Sequence, residues 1–373
     1  MLRFLTAGES HGPCLIAIVE GFPAGLMVDI EAIQRDLRRR QSGYGRGERM
    51  QIEQDRAEIL SGVLRGRTTG APIALRIENR DWVHWEGREL PPLTVPRPGH
   101  ADYAGMVKYR FSDARPILER ASARETAARV AVGALARQLL TEFGITVASF
   151  VLSIGDVVAR IPDLPLEQLQ ALAEESDVRC PDPEASARMR AAIDAARAAG
   201  DSLGGVFVVI AMGVPPGLGS HVHWERRLDA RLAFAVMSIP AVKGVEIGPA
   251  FENARLPGTR VHDEILPCPD RDLPAVLRPT NRAGGIEGGI SNGQPIIVRA
   301  AMKPIPTTVT PLRSVDFATG EVAATRYQRS DVCAVPAAAV VGEAMVAWTL
   351  ADALMEKLGG DSLEEMKAHW REG

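Results

Sequence analysis

The 373-residue sequence predicts an α+β fold built as a single unit, and three observations carry that prediction. Strand-like and helix-like segments follow one another without the regular alternation that a doubly wound parallel sheet requires. No G-x-G-x-x-G fingerprint sits between a strand and a helix. No short internal repeat or low-complexity tract divides the chain, so one domain is expected over 1–373, with a peripheral tail from about 359. Length alone suggests about two domains, but one core can absorb it when elements are added at its edge.

Taken in order, residues 2–6 and 14–20 read as strands, the second an apolar run ended by Gly21-Phe22-Pro23. Asp29 is a good N-cap for a helix that places Ile30, Ile33 and Leu37 on one face. Its last turn, Arg38-Arg39-Arg40, suits the negative end of the helix dipole, and the glycines of QSGYGRGER then break it. A strand is expected at 72–79 and a loop over 83–99. An Ala-rich helix from 121 to 140 has small residues that permit close packing. Next come a strand at 146–154, helices near 165–176 and 183–199, a strand at 204–214 and a helix at 224–238. Asp182 caps the 183–199 helix, and Pro183 fits its first position. The stretch 295–302 reads as a strand, 303–331 lacks a periodic pattern, and a strongly apolar helix covers 336–357.

Net charge is −4, so the totals suggest neither a nucleic-acid nor a membrane binder. The distribution says more. Six arginines fall between Arg35 and Arg49, and seven basic residues between Arg97 and Arg129. Local basic clusters on a mildly acidic protein suit small, multiply charged anions, although either cluster alone reads better as a solvated helix face. Four scattered cysteines without a C-x-x-C pair argue against a zinc ribbon or a disulfide framework. The start MLRFLTAGESHG is too short for a signal peptide and no window nears eighteen uninterrupted apolar residues, so a cytoplasmic protein is expected.

Gly8-Glu9-Ser10-His11-Gly12 matches the G-x-S-x-G nucleophile elbow in form only, because Pro13 and a strand pattern follow where a helix is needed. A serine hydrolase acting through Ser10 is therefore disfavoured. So is a non-catalytic polyanion-binding protein, given 5% aromatic residues and basic residues scattered over distant motifs. His11 and His100 each lie in a Gly-flanked turn beside polar residues, where a near-neutral imidazole can serve as acid or base; singly, either could be a loop histidine bonded to backbone. His221, His223 and His262 lack a recognisable ligand spacing, so no metal site is expected.

Taken together, the motifs carry a resemblance. GESHGPCLIAIVEGFP (8–23), ERASARETAARVAVGAL (119–135) and RSDVCAVPAAAVVGEAM (329–345) resemble three signatures of the chorismate synthases. RRRQSGYGRGERM, RPGHADYAGMVKY, SIPAVKGVEIG, GGISNGQPI and KPIPTT fill the intervals, so the likeness runs from Phe4 to about Leu358.

That resemblance implies a helical core sandwiched between antiparallel sheets, assembled as a homotetramer. It implies elimination of phosphate from 5-enolpyruvylshikimate 3-phosphate to give chorismate, with reduced FMN and no net redox change. His11 resembles the histidine that protonates the leaving phosphate, His100 the one beside the reduced flavin, and Asp331 the acid that tunes the flavin. Arg40, Arg46, Arg49, Arg97, Arg124 and Arg329 match the substrate-binding set, as planar forks suited to carboxylate and phosphate. For FMN the match points to Arg120, Ala121, Ser122, Ala241 and Gly288, to Lys303, Pro304, Ile305, Pro306 and Thr307, and again to Arg329. Pro240 departs from the family, where many members have Asn, so a side-chain contact there is lost. The absence of a nicotinamide fingerprint points to an external flavin reductase rather than self-reduction by NADPH.

Overall fold

A computed structural model of the chain describes residues 2–47, 52–268 and 275–372. Two antiparallel sheets are joined through a layer of helices. The first sheet holds β1 (Arg3–Ala7), β2 (Cys14–Glu20), β3 (Ala57–Ser61) and β4 (Ile73–Glu78) in the order β1-β2-β4-β3. Alternation along the strands puts Leu15, Ala17 and Val19 of β2, with Ile73, Leu75 and Ile77 of β4, on its buried face. The second sheet holds β5 (Thr146–Ile154), β6 (Val157–Val158), β7 (Gly205–Met212), β8 (Val242–Ile247) and β9 (Ile296–Met302) in the order β8-β9-β7-β5-β6. β5 is buried on both faces, which is why TVASFVLSI is almost continuously apolar.

Helices α1 (Ile30–Gln41), α2 (Asp102–Tyr109), α3 (Arg115–Ala121) and α4 (Thr126–Thr141) come from the first half of the chain. They are followed by α5 (Leu166–Glu175), α6 (Pro183–Ala198), α7 (Leu228–Met237), α8 (Val335–Leu358) and α9 (Leu363–Glu372). α4 packs on β2 and β4, α8 on β5 and β7, and the two helices pack on each other. The join is close. A Cβ added to Gly133 of α4 would lie 2.3 Å from the Cβ of Ala344 on α8, so only glycine allows this approach. α8 is long and apolar enough to cross a membrane by composition, yet 83% of its most apolar window is buried inside the protein.

Asp29 and Asp182 cap α1 and α6 as their sequence context predicts, each accepting from two backbone amides. The helix expected from 121 is shorter. Ser122 adopts an extended backbone and accepts from the Arg124 amide, so α3 ends at Ala121 and α4 starts at Thr126. The helix expected from 224 likewise begins at Leu228, after one 3-10 turn. β3, β6, α2, α3 and α9 have no counterpart in the elements expected from sequence. Past residue 359, α9 buries Met366 fully and sets Trp370 edge-on against Phe143.

Candidate active site

The β1–β2 loop carries His11. Gly8 opens it at φ 105°, where a Cβ would lie 2.3 Å from the Cys14 carbonyl oxygen. Asn79, at the end of β4, donates its amide to the Glu9 (3.1 Å) and Gly12 (2.7 Å) carbonyls and pins the loop. Glu119 of α3 takes two hydrogen bonds from His11: the backbone N–H at 2.7 Å and ring Nδ1 at 2.8 Å. Burial works against the Glu119 charge, but these two donors hold its carboxyl below the usual range. The Trp85 ring lies 4.2 Å from the imidazole, tilted by 48°. Trp85 Nε1 donates at 3.0 Å to the buried Asp81, which also accepts from Arg329 Nη2 at 3.1 Å. A cavity of about 260 Å3 opens here, lined by Ile52, Asp81, His84, Trp85, Arg88 and Arg329.

His100 belongs to a second cluster. Its Nδ1 donates to Asp102 Oδ1 at 2.5 Å, and Arg97 grips the same carboxylate through Nε (2.7 Å) and Nη2 (3.0 Å). Burial opposes the Asp102 charge; the His100 and Arg97 hydrogen bonds and charges overcome it and lower its pKa. Arg97 Nη1 reaches Thr307 (3.3 Å) and Gln328 (3.2 Å). Lys303 Nζ bonds only to the carbonyls of Gly99 (3.0 Å) and Pro304 (3.5 Å), and burial, then Lys243, lowers its pKa. Ala241 accepts from the Lys303 amide and sits at φ 68°, a strained setting for a residue with a side chain. Ile305 accepts from Ser202, and Pro306 lies against Gly99.

Arg40 and Arg124 are buried (3% and 5% exposed) and share Asp55, Arg40 Nη2 lying 2.5 Å from Oδ2 and Arg124 Nη1 closing on Oδ1. Arg124 also donates to Asn79 (2.8 Å) and the Glu78 carbonyl (3.1 Å), and lies 3.6 Å from Glu53. Arg46 pairs with Asp331 at 3.0 Å, and the Gly47 amide donates to the same carboxylate at 2.7 Å. The Nε atoms of Arg40 and Arg46 are buried without a partner. Arg49 lies outside the described residues.

Four consecutive residues stitch these groups together. Gln328 accepts from Arg97, Arg329 donates to Asp81 beside Trp85, Ser330 donates to the Thr307 carbonyl, and Asp331 holds Arg46 and Gly47. Asn79 connects the His11 loop to Arg124. Ser122 accepts from Ser10 Oγ at 3.0 Å. Arg120, which follows Glu119 and precedes Ala121, donates to the Thr6 and Gly8 carbonyls. Gly288 stands apart on an exposed hairpin, with open space around its Cβ position. The sequence reading did not single out Glu119, Asp102, Asp55, Asp81 or Trp85. Only Asp102 had a local signal, two residues after His100 in RPGHAD.

An α+β fold whose loops hold two histidines and at least six cations in hydrogen-bonded clusters, joined through neighbouring backbone, fits an enzyme acting on small, multiply charged anions. Comparison with known proteins narrows that class. The family model described as chorismate synthase matches residues 2–355. The chorismate synthase of Desulforudis audaxviator is 58% identical, covering 98% of this chain and 95% of the relative. That of Symbiobacterium thermophilum is also 58% identical, covering 99% and 98%. A solved structure titled as a crystal structure of chorismate synthase superposes with a TM-score of 0.81 at 48% identity, covering 100% of this chain and 96% of that one. The chain belongs to the chorismate synthase family. Its activity is that of a carbon–oxygen lyase, removing phosphate from 5-enolpyruvylshikimate 3-phosphate to give chorismate.

Proposed function

We propose that the 328–331 seam and the loops it joins form the active site for an anti-1,4-elimination assisted by reduced FMN, with no net redox change. The observation that carries this reading is a set of cations with donors left unfilled by the fold. Among the described residues, Arg120 and Lys303 meet only carbonyl or hydroxyl oxygens, and Arg40 and Arg46 keep buried, unpartnered Nε atoms. Such groups fit a dianionic phosphate, which supplies charge and acceptors together. Arg120, Lys303 and the backbone around Ala121, Ser122, Ala241, Gly288 and 304–307 would hold FMN, with Arg329 at its edge. The chemistry FMN supplies when bound and reduced is electron density for the departing phosphate, returned as the ring proton leaves.

The protein's own residues have definite tasks in this reading. His11 gives a proton to the leaving phosphate, and Glu119 steadies it. His100, clamped by Asp102, would stand beside the flavin, while Asp331 sets Arg46 and the Gly47 amide. Arg97, Arg329 and Arg46 receive substrate carboxylates and phosphate, joined by Arg49. Arg40 and Arg124, fixed on Asp55, form the charged wall behind them.

Homotetramer assembly is part of the same proposal. It is supported by exposed apolar side chains on the first sheet (Leu5, Ile18, Leu60) and beside the second (Trp224, Phe234, Phe251). Reduction by an external flavin reductase and a cytoplasmic location complete it. Phosphate release measured anaerobically, with chemically reduced and with oxidised FMN, tests the reading. Release of phosphate and chorismate with reduced FMN alone is expected, and equal release with oxidised FMN would overturn the cofactor assignment.

A further inference from the structure

We propose that Glu119 is the positioning residue for His11, fixing the imidazole with Nδ1–H turned to the protein and Nε2 as the nitrogen offered to the leaving phosphate. The inference deepens, and rests on, the reading of His11 as proton donor. Its basis is the two-point grip. One Glu119 oxygen takes the His11 backbone N–H at 2.7 Å, and the other takes ring Nδ1 at 2.8 Å. A single carboxylate therefore fixes both the backbone and the ring of the same residue, which leaves little freedom about χ1 and χ2.

The second restraint is Trp85. Its ring lies 4.2 Å from the imidazole, and its own orientation is fixed by the Nε1 hydrogen bond to Asp81. With Nδ1 engaged and Trp85 against the ring, Nε2 is the polar atom left for a ligand. Glu119 lies on α3 directly before Arg120, so the helix that presents a free cation also sets the acid. In the transfer, the Nε2–H bond breaks and an O–H bond forms on the phosphate oxygen. The electron pair stays on Nε2, and the ring becomes neutral with Nδ1–H still donated to Glu119. No oxidant or reductant takes part in that transfer.

Glu119→Gln discriminates because an amide has one acceptor oxygen where the carboxylate has two, and both His11 donors need one. The isosteric variant must either release one contact or turn its NH2 to Nδ1, which favours the Nε2–H tautomer. The experiment compares wild type, Glu119→Gln, Glu119→Asp and His11→Ala as full-length enzymes with reduced FMN and substrate. It reads kcat and KM, together with the ring-nitrogen NMR signals of 15N-histidine-labelled protein at a pH where His11 is neutral. Glu119→Gln is expected to lower kcat about 10- to 100-fold with KM within about twofold, less than the ~10⁴-fold of a triad aspartate changed to asparagine. The His11 signals should shift from one tautomer to a mixture, and Glu119→Asp, with two oxygens, should recover part of the rate. Unchanged ring-nitrogen signals in Glu119→Gln would overturn the proposal whatever the rates. An unchanged kcat beside a slow His11→Ala would overturn it too. A fast His11→Ala would instead sink the reading of His11 as the acid, and the NMR result would still decide whether Glu119 sets the ring.

Discussion

Two groups of basic residues in this protein have opposite surroundings. In the helical layer, Arg39, Arg137 and Arg179 converge on Glu343, which is fully buried in the middle of α8. Arg39 binds that carboxylate through both terminal nitrogens at 2.8 Å, and Asp36 and Glu174 complete the charge balance. At the seam around residues 328–331, by contrast, Arg120 and Lys303 meet only neutral oxygens, and Arg329 shares Asp81 with Trp85 and His84. The contrast teaches that residue type does not separate a structural arginine from a functional one. Neutralisation does: each core guanidinium meets a carboxylate of the fold, whereas Arg120 and Lys303 await an anion.

The largest expected effect lies on the core side. Glu343→Gln would leave the buried Arg179 and the half-buried Arg39 and Arg137 facing one carboxylate fewer, and breaking a pair on a buried carboxylate from one side costs about 3–5 kcal/mol. Urea unfolding should show that loss as a lower midpoint. A change below about 1 kcal/mol would mean the cluster is wetter or more adaptable than its geometry indicates.

Acid tests the same cluster with a smaller effect. Burial opposes the Glu343 charge, but Arg39 and then its other partners bring its pKa down to about 2 from the ordinary 4.5. A depressed carboxyl pKa gives stability that is fully present above the unfolded value and lost as pH falls towards the folded one. Stability should therefore drop by about 3 kcal/mol between roughly pH 4.5 and 2 from this residue alone. In the Glu343→Gln variant that part of the acid dependence should vanish. An acid limb identical to wild type would assign the sensitivity to other carboxylates.

These two regions were not equally legible in the sequence. Asp29 and Asp182 were readable as caps because a cap acts within three residues of itself. The run Arg38-Arg39-Arg40 was readable as a helix C-terminus, but nothing local tells that Arg39 turns to Glu343, 304 positions away, while Arg40 turns to Asp55. The acidic partners escaped for the same reason. Glu119 looks like one charge among several in ERASARET until the fold brings it under His11. The helix start expected at 121 falls late, at Thr126, because the Ser122 hydroxyl, met by Ser10 and Arg124, separates two helices there, and no side chain near 121 signals that meeting. The family motifs reach residues that bond across long sequence distances, such as Arg97 with Gln328 and Arg46 with Asp331, contacts that one chain's periodicity cannot show.

On the seam side, removing a cation should leave the fold intact and weaken the ligand. Lys303→Met and Arg120→Met should each lower FMN affinity about 10- to 100-fold, the worth of one hydrogen bond to a charged group. Their unfolding midpoints should stay near wild type, since neither charge is paired with a carboxylate. Titration of FMN beside urea unfolding checks both halves. A marked loss of stability in either variant would break the contrast between satisfied and waiting charges.

The smallest effect is a pH dependence peculiar to Lys303. Burial, then repulsion from Lys243, places its pKa below the ordinary 10.5. An anion binds the charged form, so affinity is complete below the folded pKa and weakens as pH rises through it. The loss should thus begin at a lower pH than an ordinary lysine would give. Removing the repulsion with Lys243→Met should move that midpoint upwards, while Lys303→Met should abolish the limb. FMN titrations from neutral to alkaline pH would show it. A limb that persists in Lys303→Met would place the titrating cation elsewhere on the seam. Because Lys303 is only partly buried, the part of the shift due to Lys243 should also shrink with added salt. The Glu343 carboxylate, fully buried, should respond less to salt, which makes ionic strength one more way to separate the two regions.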